Sequence, residues 1–227
     1  MRLLALDTAT ESCSAALLME DRLLTREEEL TRGHAERILP MVHELLAEAG
    51  IGLPGLDAIA FGRGPGSFTG VRLAASITQG LAFGAGVGVV AISDLSALAQ
   101  RIFDEDGSVT RSLVCNDARM QEVYWGCFER GGDGLAIARS AERVDPPQRV
   151  ELPPGWSGAA GLGRGFSVYP ALRALPGIVM RGAWDRLLPR AAEVARLAVP
   201  EVTGGRLLDP EAAVPVYLRD DVAQPPP

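Results

Sequence analysis

The sequence predicts an α/β fold, in which mixed β-sheets are flanked by helices. Hydrophobic residues form 47% of the 227-residue chain, and the mean hydropathy is +0.12, which is typical of a folded protein with a large core. Apolar runs of strand length alternate with longer segments of helical periodicity, and this order produces a sheet covered by helices. Two similar hairpin patterns, one in each half of the chain, add the prediction of two related lobes.

The first elements are a predicted hairpin, a third strand and a helix. Residues 2–7 and 13–19 are apolar runs joined by a polar turn, which is a hairpin signal. A third strand is predicted around residues 21–29. Residues 34–50 then place apolar side chains at helical spacing, and Pro40 inside this pattern predicts a kink.

Strands and helices continue to alternate through the next fifty residues. Residues 56–62 and 87–92 predict two short strands. The segment between them predicts a helix from about Ser67 to Phe83, which follows a glycine-rich loop. Ser93 comes directly after the second strand and is a suitable N-cap for one more helix.

A polar, glycine-containing segment at residues 104–110 predicts the boundary between the lobes. The N-terminal lobe is therefore expected to span residues 1–103 and the C-terminal lobe residues 104–227. Residues 111–130 predict two strands around a tight turn, as in the opening hairpin. Two later elements are predicted: a helix at about 190–198 and a strand at 214–220.

Composition excludes several functional classes. The chain has no apolar run long enough to span a bilayer and no signal-peptide pattern at its start, so we expect a cytoplasmic protein with no membrane contact. Three cysteines without a CxxC pair exclude a disulfide framework and a cysteine-rich zinc site. The net charge of −7 disfavours tight nucleic-acid binding by this chain alone. All 22 basic residues are arginine, so lysine chemistry is absent.

The glycine-rich segment "GRGPGSFTGVRLA" at residues 62–74 matches neither common phosphate-binding motif. A P-loop requires a lysine, and the GxGxxG fingerprint fails because serine or threonine stands at its third position. Small residues recur every fourth position from this segment onward, namely Gly66, Gly70, Ala74, Thr78 and Ala82. Such a stripe permits close approach of another helix, which is the favoured interpretation; a phosphate cradle is the alternative.

Asp7, Thr8 and Thr10 form a candidate nucleotide-binding set. An aspartate that ends a first strand, before a turn with hydroxyl side chains, is how actin-like ATPases and sugar kinases present a phosphate site. Aspartate and threonine are also ordinary turn residues, and this structural interpretation stays open.

No residue pattern indicates a catalytic or metal site. His34 and His43 are nine residues apart, and two histidines cannot form a multi-histidine metal centre. A surface or partner-contacting position is expected for each. Asp117 and Glu122 form a carboxylate pair in sequence, but they flank a predicted hairpin turn and nothing indicates that they meet over a substrate. We therefore expect no catalytic residues and no metal.

Five segments resemble the bacterial TsaB (YeaZ) family, in order and along nearly the whole chain. They are "ALDTATESCSAAL", "HAERILPMV", "GRGPGSFTGVR", "DARMQEVYW" and "PVYLRD", of which the third and fourth are the most specific. The resemblance implies the two-lobed actin-like ATPase (ASKHA) fold and kinship with TsaD/Kae1. It also implies a function as the non-catalytic partner of TsaD in forming N6-threonylcarbamoyladenosine at position 37 of tRNA.

The resemblance carries further expectations about partners and cofactors. TsaD is the direct partner, the ATPase TsaE joins the larger complex, and a homodimer forms when TsaD is absent. Contact with tRNA is only indirect. The chain is expected to need no cofactor of its own, although ATP or ADP at the interface with TsaD stays open. The metal-binding histidine pair of TsaD aligns near Asp94 and Leu98, so the relatives' active site is absent here.

The partner surface implied by the family is a bundle of the helix containing "HAERILPMV" with the helix after the glycine segment. Its expected contact residues are Ala35, Ile38, Leu39, Val42, Leu45, Gly66, Gly70, Ala74 and Thr78. A tryptophan at position 74 is predicted to break both the homodimer and the TsaD complex without unfolding the monomer. The competing hypotheses are a weak nucleotide-binding ATPase-like protein, an M22 peptidase-like protein, and a self-associating scaffold unrelated to tRNA.

Overall fold

The computed structural model describes residues 1–20 and 22–219, which form two β-sheets with helices around and between them. Residue 21 of the predicted third strand and residue 220 of the predicted last strand lie outside the described residues. Within the described ranges, no helix is both long and apolar enough to cross a membrane.

The first sheet has five strands in the order β3-β2-β1-β4-β5. They are β1 (Arg2–Asp7), β2 (Ser12–Met19), β3 (Arg22–Glu29), β4 (Ala58–Gly62) and β5 (Gly88–Ile92). β1 pairs antiparallel with β2 and parallel with β4, so the opening hairpin is confirmed and the sheet is mixed. β4 is buried along its whole length because helices cover both faces of the sheet.

Helices pack on both faces of the first sheet. α1 (His34–Ala49) and α2 (Phe68–Ala85) cover one face, and Leu4, Leu6 and Phe61 fill the core beneath them. The last helix, Ala191–Thr203, covers the other face over Leu3 and Ala5. Because each sheet residue points to the opposite face from its neighbour, adjacent residues of β1 enter two separate cores.

The second sheet has the order β11-β10-β6-β7-β8, and β9 also pairs with β7. Its strands are β6 (Arg111–Asp117), β7 (Val123–Arg130), β8 (Ala136–Ala138), β9 (Arg143–Asp145), β10 (Ala159–Leu162) and β11 (Ile178–Val179). β6 and β7 form the second predicted hairpin, and β10 adds in parallel to β6. Both sheets therefore combine an antiparallel hairpin with a parallel neighbour, which confirms the predicted relation between the lobes.

The remaining helices connect or cover the sheets. α3 (Asp94–Glu105) lies between them, with Ala97 in the core of the first sheet and Leu98 in the core of the second. Ser93 accepts hydrogen bonds from the N–H groups of the next turn, which confirms it as the N-cap. Two short helices, α4 (Gly165–Val168) and α5 (Pro170–Arg173), lie beside the second sheet, and the helix Ala191–Thr203 is α6.

Two predictions about chain organisation are wrong. α6 belongs to the predicted C-terminal lobe by sequence, yet it packs on β1, β2 and β4 of the first sheet. The chain thus returns to its starting lobe, because the apolar face of the first sheet needs a cover that α1 and α2 do not provide. Within the described ranges, residues 214–219 join neither sheet, so the predicted last strand is also absent.

Candidate functional site

The glycine segment packs against the turn between β1 and β2. A Cβ atom on Gly70 would overlap the carbonyl oxygen of Thr8, and one on Gly66 would overlap that of Ala9. Hydrogen bonds fix this contact: the Ser67 N–H donates to the Ala9 carbonyl at 2.7 Å, and the Thr8 hydroxyl donates to the Gly70 carbonyl at 2.7 Å. These glycines make room for this chain's own hairpin turn, so the prediction that they admit another helix is wrong.

The rest of the predicted small-residue stripe faces inward as well. Six residues expected at a partner interface are buried within this chain: Ile38, Val42, Leu45, Gly70, Ala74 and Thr78. Gly66 is half-buried against the hairpin turn. Their assignment to a partner surface is therefore wrong except for Val42, which lines a groove between α1 and α2. A tryptophan at position 74 would disrupt the monomer itself. Only Ala35 and Leu39 of the predicted set lie exposed on α1.

A second small-residue stripe lies on the exposed face of α2. Ser76, Gly80 and Gly84 recur every fourth position and are exposed to solvent. Among the described residues, nothing lies within 4 Å of a Cβ atom built on Gly80 or Gly84. Glycine inside a helix costs about 1 kcal/mol relative to alanine. No contact within the described part of the chain explains why glycine stands at these two positions.

An apolar groove runs beside this stripe, between α1 and α2. It encloses about 390 Å³ and is lined by side chains that include Leu39, His43, Leu46 and Leu81. Leu39 is 47% exposed at the groove, and Phe83 of α2 is 80% exposed. Large apolar side chains at such exposure, next to a helix surface without bulky side chains, are typical of a protein-binding surface. We call the exposed stripe, the groove and Phe83 the docking face.

Asp7 and Asp94 form a buried acidic pair at the carboxyl edge of the first sheet. The Ala9 N–H donates to Asp7 Oδ1 at 2.8 Å, and the Gly64 N–H donates to Asp94 Oδ2 at 2.5 Å. The remaining oxygens, Asp7 Oδ2 and Asp94 Oδ1, have no hydrogen-bond partner within the described ranges. Both side chains lie close to the position of a Cβ atom on Gly62. Because like charges repel strongly in a buried site, protonation of one carboxyl group is favoured.

Burial determines the protonation of this pair. Both side chains are fully buried, and the loss of solvent raises the pKa of Asp7 to about 6. Burial, with the nearby Asp7 carboxyl as the next cause, raises the pKa of Asp94 well above its usual range. The sequence placed Asp7 at the end of the first strand and Asp94 at the start of a helix, as observed, but gave no sign that they meet. The available signal was Gly62, which ends the strand between them without a side chain.

The candidate nucleotide set is mostly withdrawn from solvent. Asp7 and Thr8 are buried; Asp7 accepts from the Ala9 N–H, and the Thr8 hydroxyl donates to the Gly70 carbonyl. Thr10 is half-buried, and its hydroxyl accepts from the Ser12 N–H. Asp7 does not line the cleft between the lobes, whereas Thr8 and Thr10 do, so contact of this set with a nucleotide stays a prediction.

A cleft of about 870 Å³ separates the lobes beside the β1–β2 turn. Asn116, at the end of β6, lines it and is 6% exposed, and neither of its amide atoms has a partner in the described part of the chain. The neighbouring Asp117 accepts from the Tyr169 hydroxyl, whereas Glu122 accepts from Arg219. These two carboxylates have separate partners and do not form a pair.

The two histidines lie in different surroundings. The same is true of Asp94 and Leu98, the positions expected to align with a relative's metal-binding histidines. His34 Nε2 lies 2.9 Å from the Thr10 carbonyl oxygen, and His43 is exposed at the groove. Leu98 is buried between the sheets, and Asp94 is buried and accepts from the Gly64 N–H. Across residues 1–20 and 22–219, no three side chains of histidine, cysteine, aspartate or glutamate converge as a metal site would require.

Two related lobes, a cleft between them and a hairpin turn beside it form the predicted α/β architecture. A solved protein from Pseudomonas aeruginosa described as similar to peptidase YEAZ shares this fold, with a TM-score of 0.88. The family model described as "TsaD: tRNA N6-adenosine threonylcarbamoyltransferase" matches residues 26–164. The tRNA threonylcarbamoyladenosine biosynthesis protein TsaB of Escherichia coli is 40% identical over 98% of this chain and 96% of that protein. The chain belongs to the TsaB (YeaZ) family.

Two further comparisons agree with this membership. TsaB of Haemophilus influenzae is 39% identical over 98% of this chain and 95% of that protein. The solved structure of YeaZ from Pseudomonas aeruginosa has 45% sequence identity and a TM-score of 0.87, and the match covers 96% of this chain and 99% of that chain. The family resemblance seen in the sequence is confirmed.

Proposed function

We propose that this chain is the non-catalytic partner subunit of TsaD in forming N6-threonylcarbamoyladenosine at position 37 of tRNA. The observation that carries the proposal is the docking face, where Gly80 and Gly84 stand open beside exposed apolar side chains. The relatives' names support the pathway, because TsaB proteins are named for threonylcarbamoyladenosine biosynthesis.

The docking face suits a helical partner. A helix can approach another closely where glycine and serine replace bulky side chains, and the gain in packing offsets the poor helix propensity of glycine. Leu39, Phe83 and the groove then add apolar area at about 25 cal/mol per Å² buried. TsaD is the proposed occupant, and a second copy of this chain would use the same face when TsaD is absent. The two partners therefore exclude each other.

The absence of catalysis is part of the proposal. It is supported by polar side chains that already form hydrogen bonds within the chain. Asp7, Thr8 and Asp94 all bond within the chain. TsaE would join the assembly through TsaD, in the cytoplasm, and tRNA would be contacted only indirectly, which agrees with the net charge of −7. Any ATP or ADP would lie at the interface with TsaD.

Reconstitution tests this function. Purified TsaC, TsaD and TsaE with tRNA are assayed for modified adenosine, with and without this chain. Product is expected only when the chain is present. Phe83→Glu is expected to abolish both product and co-elution with TsaD, because a charge would be buried in an apolar contact. Leu23→Glu, at an exposed apolar residue of β3, is the matched control and retains both. Equal product without the chain, or normal co-elution of Phe83→Glu, overturns the proposal.

Nucleotide binding in the cleft is a second candidate, favoured by the unpartnered amide of Asn116. Calorimetry with ATP on the isolated chain separates it from the first. Micromolar binding that Asn116→Leu abolishes would support an ATPase-like function, whereas the absence of heat supports the partner subunit.

A further inference from the structure

We propose that residues 213–219 form a strap that ties α2 to the β6–β7 turn and thereby fixes the angle between the two lobes. This inference does not depend on the proposed function. It joins three of the sequence segments that resemble the family, since the glycine segment, "DARMQEVYW" and "PVYLRD" all contribute to one contact.

The first half of the strap is attached to the first lobe. The Gln79 amide donates to the Ala213 carbonyl at 2.9 Å, and the Val216 N–H donates to the Arg63 carbonyl at 2.8 Å. Gly64 has a φ of +99°, and a Cβ atom there would lie 3.0 Å from the Val216 carbonyl oxygen. The backbone of the strap therefore lies directly on the glycine loop.

Side chains at the start of α2 hold the middle of the strap. Arg72 Nε donates to the Tyr217 hydroxyl at 2.7 Å, and its guanidinium lies 3.4 Å from the ring centre of Phe68. The rings of Phe68 and Tyr217 are 6.0 Å apart. Cation–π and aromatic contacts of this kind fix side chains that remain partly exposed.

The end of the strap is attached to the second lobe. Arg219 donates to the Glu122 carboxylate at 2.5 Å and to the Ala118 carbonyl at 3.2 Å. Between these two residues, Arg119, Met120 and Gln121 all have left-handed backbone conformations, with φ of 60°, 52° and 62°. Three consecutive non-glycine residues in this region are strained. The turn that receives Arg219 is thus held in an unusual shape.

The strap lines the cleft between the lobes, so its contacts can hold one lobe against the other. Val216, Tyr217 and Arg219 form part of the cleft wall. On another side of the cleft, Arg164 of the second lobe pairs with Glu11 and Glu29 of the first. Partly exposed ion pairs of this kind contribute little alone. The strap adds backbone bonds and an arginine that is largely buried at the second lobe. Its release would let the lobes open about α3, which belongs to both cores, while each sheet stays folded.

A charge-swap experiment on the full chain tests the strap. Arg219→Glu and Glu122→Arg each bring like charges together, whereas the double variant restores an ion pair. Hydrogen exchange measured by mass spectrometry should be about tenfold faster in residues 118–122 of each single variant, because a charge-assisted hydrogen bond is lost. X-ray scattering should show a larger radius of gyration. The double variant should recover both values.

The control is Arg206→Glu, since Arg206 pairs with Glu201 within one lobe. If hydrogen exchange in residues 118–122 is no faster in the single variants than in this control, the proposal is overturned. A failure of the double variant to recover also overturns it. Faster exchange spread equally over α1 and α2 overturns it too, because that result would mean general destabilisation. Faster exchange in the turn with an unchanged radius of gyration overturns the claim that the strap fixes the lobe angle.

Discussion

The carboxyl groups of Asp7 and Asp94 meet across Gly62, which ends the strand between β1 and β5. A Cβ atom on Gly62 would lie 2.6 Å from Asp94 Oδ1 and 3.1 Å from Asp7 Cγ, so only glycine allows the contact. The end of β1 therefore lies next to the start of α3. The contact between these two elements thus involves a buried acidic pair with raised pKa values.

This pair predicts a pH-dependent stability difference between the wild type and Asp94→Asn. The pKa of both carboxyl groups is raised on folding, so the folded state holds more protons than the unfolded state above about pH 4. The contribution of the pair to the free energy of unfolding therefore falls as pH rises. The fall is about 1.4 kcal/mol per pH unit for each extra proton that the folded state holds. The asparagine side chain of the variant cannot ionise, yet its amide can accept from Gly64 and donate to Asp7. The melting temperature of the variant relative to wild type should rise between pH 5 and pH 7.5.

The comparison needs a control for other charged groups, among them Glu193, His34 and Arg63, which act on the pair electrostatically. Asp209→Asn changes an exposed aspartate and should show a constant difference from wild type at both pH values. If the Asp94→Asn difference is also constant, the pair does not hold a proton in the way inferred here.

Two glycines of α2 predict opposite responses to the same substitution. Gly70→Ala should lower the free energy of unfolding by about 3 kcal/mol, because its Cβ atom would overlap the Thr8 carbonyl. Gly80→Ala should raise it by about 1 kcal/mol, since the site is open and alanine favours the helix. Urea unfolding measures both. If both substitutions change the free energy of unfolding in the same direction, the assignment of Gly70 to the buried face and Gly80 to the exposed face is contradicted.

The exposed glycine stripe also predicts a loss of binding without a loss of stability. Gly80→Leu should weaken association with TsaD by about tenfold or more, because its side chain would hold the helices apart. The isolated variant should melt no lower than wild type. Gly107→Leu, at an exposed site with open space beyond α3, is the matched control. Equal affinities of the two variants, measured by titration calorimetry, would place the interface elsewhere.

The three cysteines should be unreactive in the folded protein. Cys13, Cys115 and Cys127 are buried, and burial raises the pKa of Cys13 and Cys127 to about 11 and that of Cys115 well above its usual value. A disulfide reagent at pH 8 should react only as fast as the protein opens, and completely in urea.

Ser108→Cys supplies an exposed thiol for comparison and should react at once. Rapid native reaction of a wild-type thiol would show that one of the three is accessible.

The sequence pattern predicted local elements well because their signals are local. Alternation and turn residues predicted the β6–β7 hairpin, and Ser93 predicted the start of α3. The face that α2 turns outward was not predictable in this way, since small residues recur at four-residue spacing on both faces. Gly70 and Ala74 lie on the buried face, and Gly80 and Gly84 on the exposed one. Only the tertiary contacts distinguish them.

The contacts between distant segments had no such signal. The Asp7–Asp94 pair depends on strand order, and the strap depends on a side chain that reaches from one lobe to a turn of the other. Neither is encoded in the spacing of residues along the chain. The lobe boundary was misjudged at α6 for the same reason, because its partner strands lie far away in sequence.

The return of α6 to the first sheet has a consequence for biosynthesis. When the ribosome has completed α3, one face of the first sheet, including Leu3, Ala5, Ala58 and Val90, still lacks its cover. At about 5 to 20 residues per second, several seconds pass before residues 106–190 are made and α6 can follow. A nascent chain in that interval exposes an apolar sheet face. The two lobes of this protein must therefore mature together rather than one after the other.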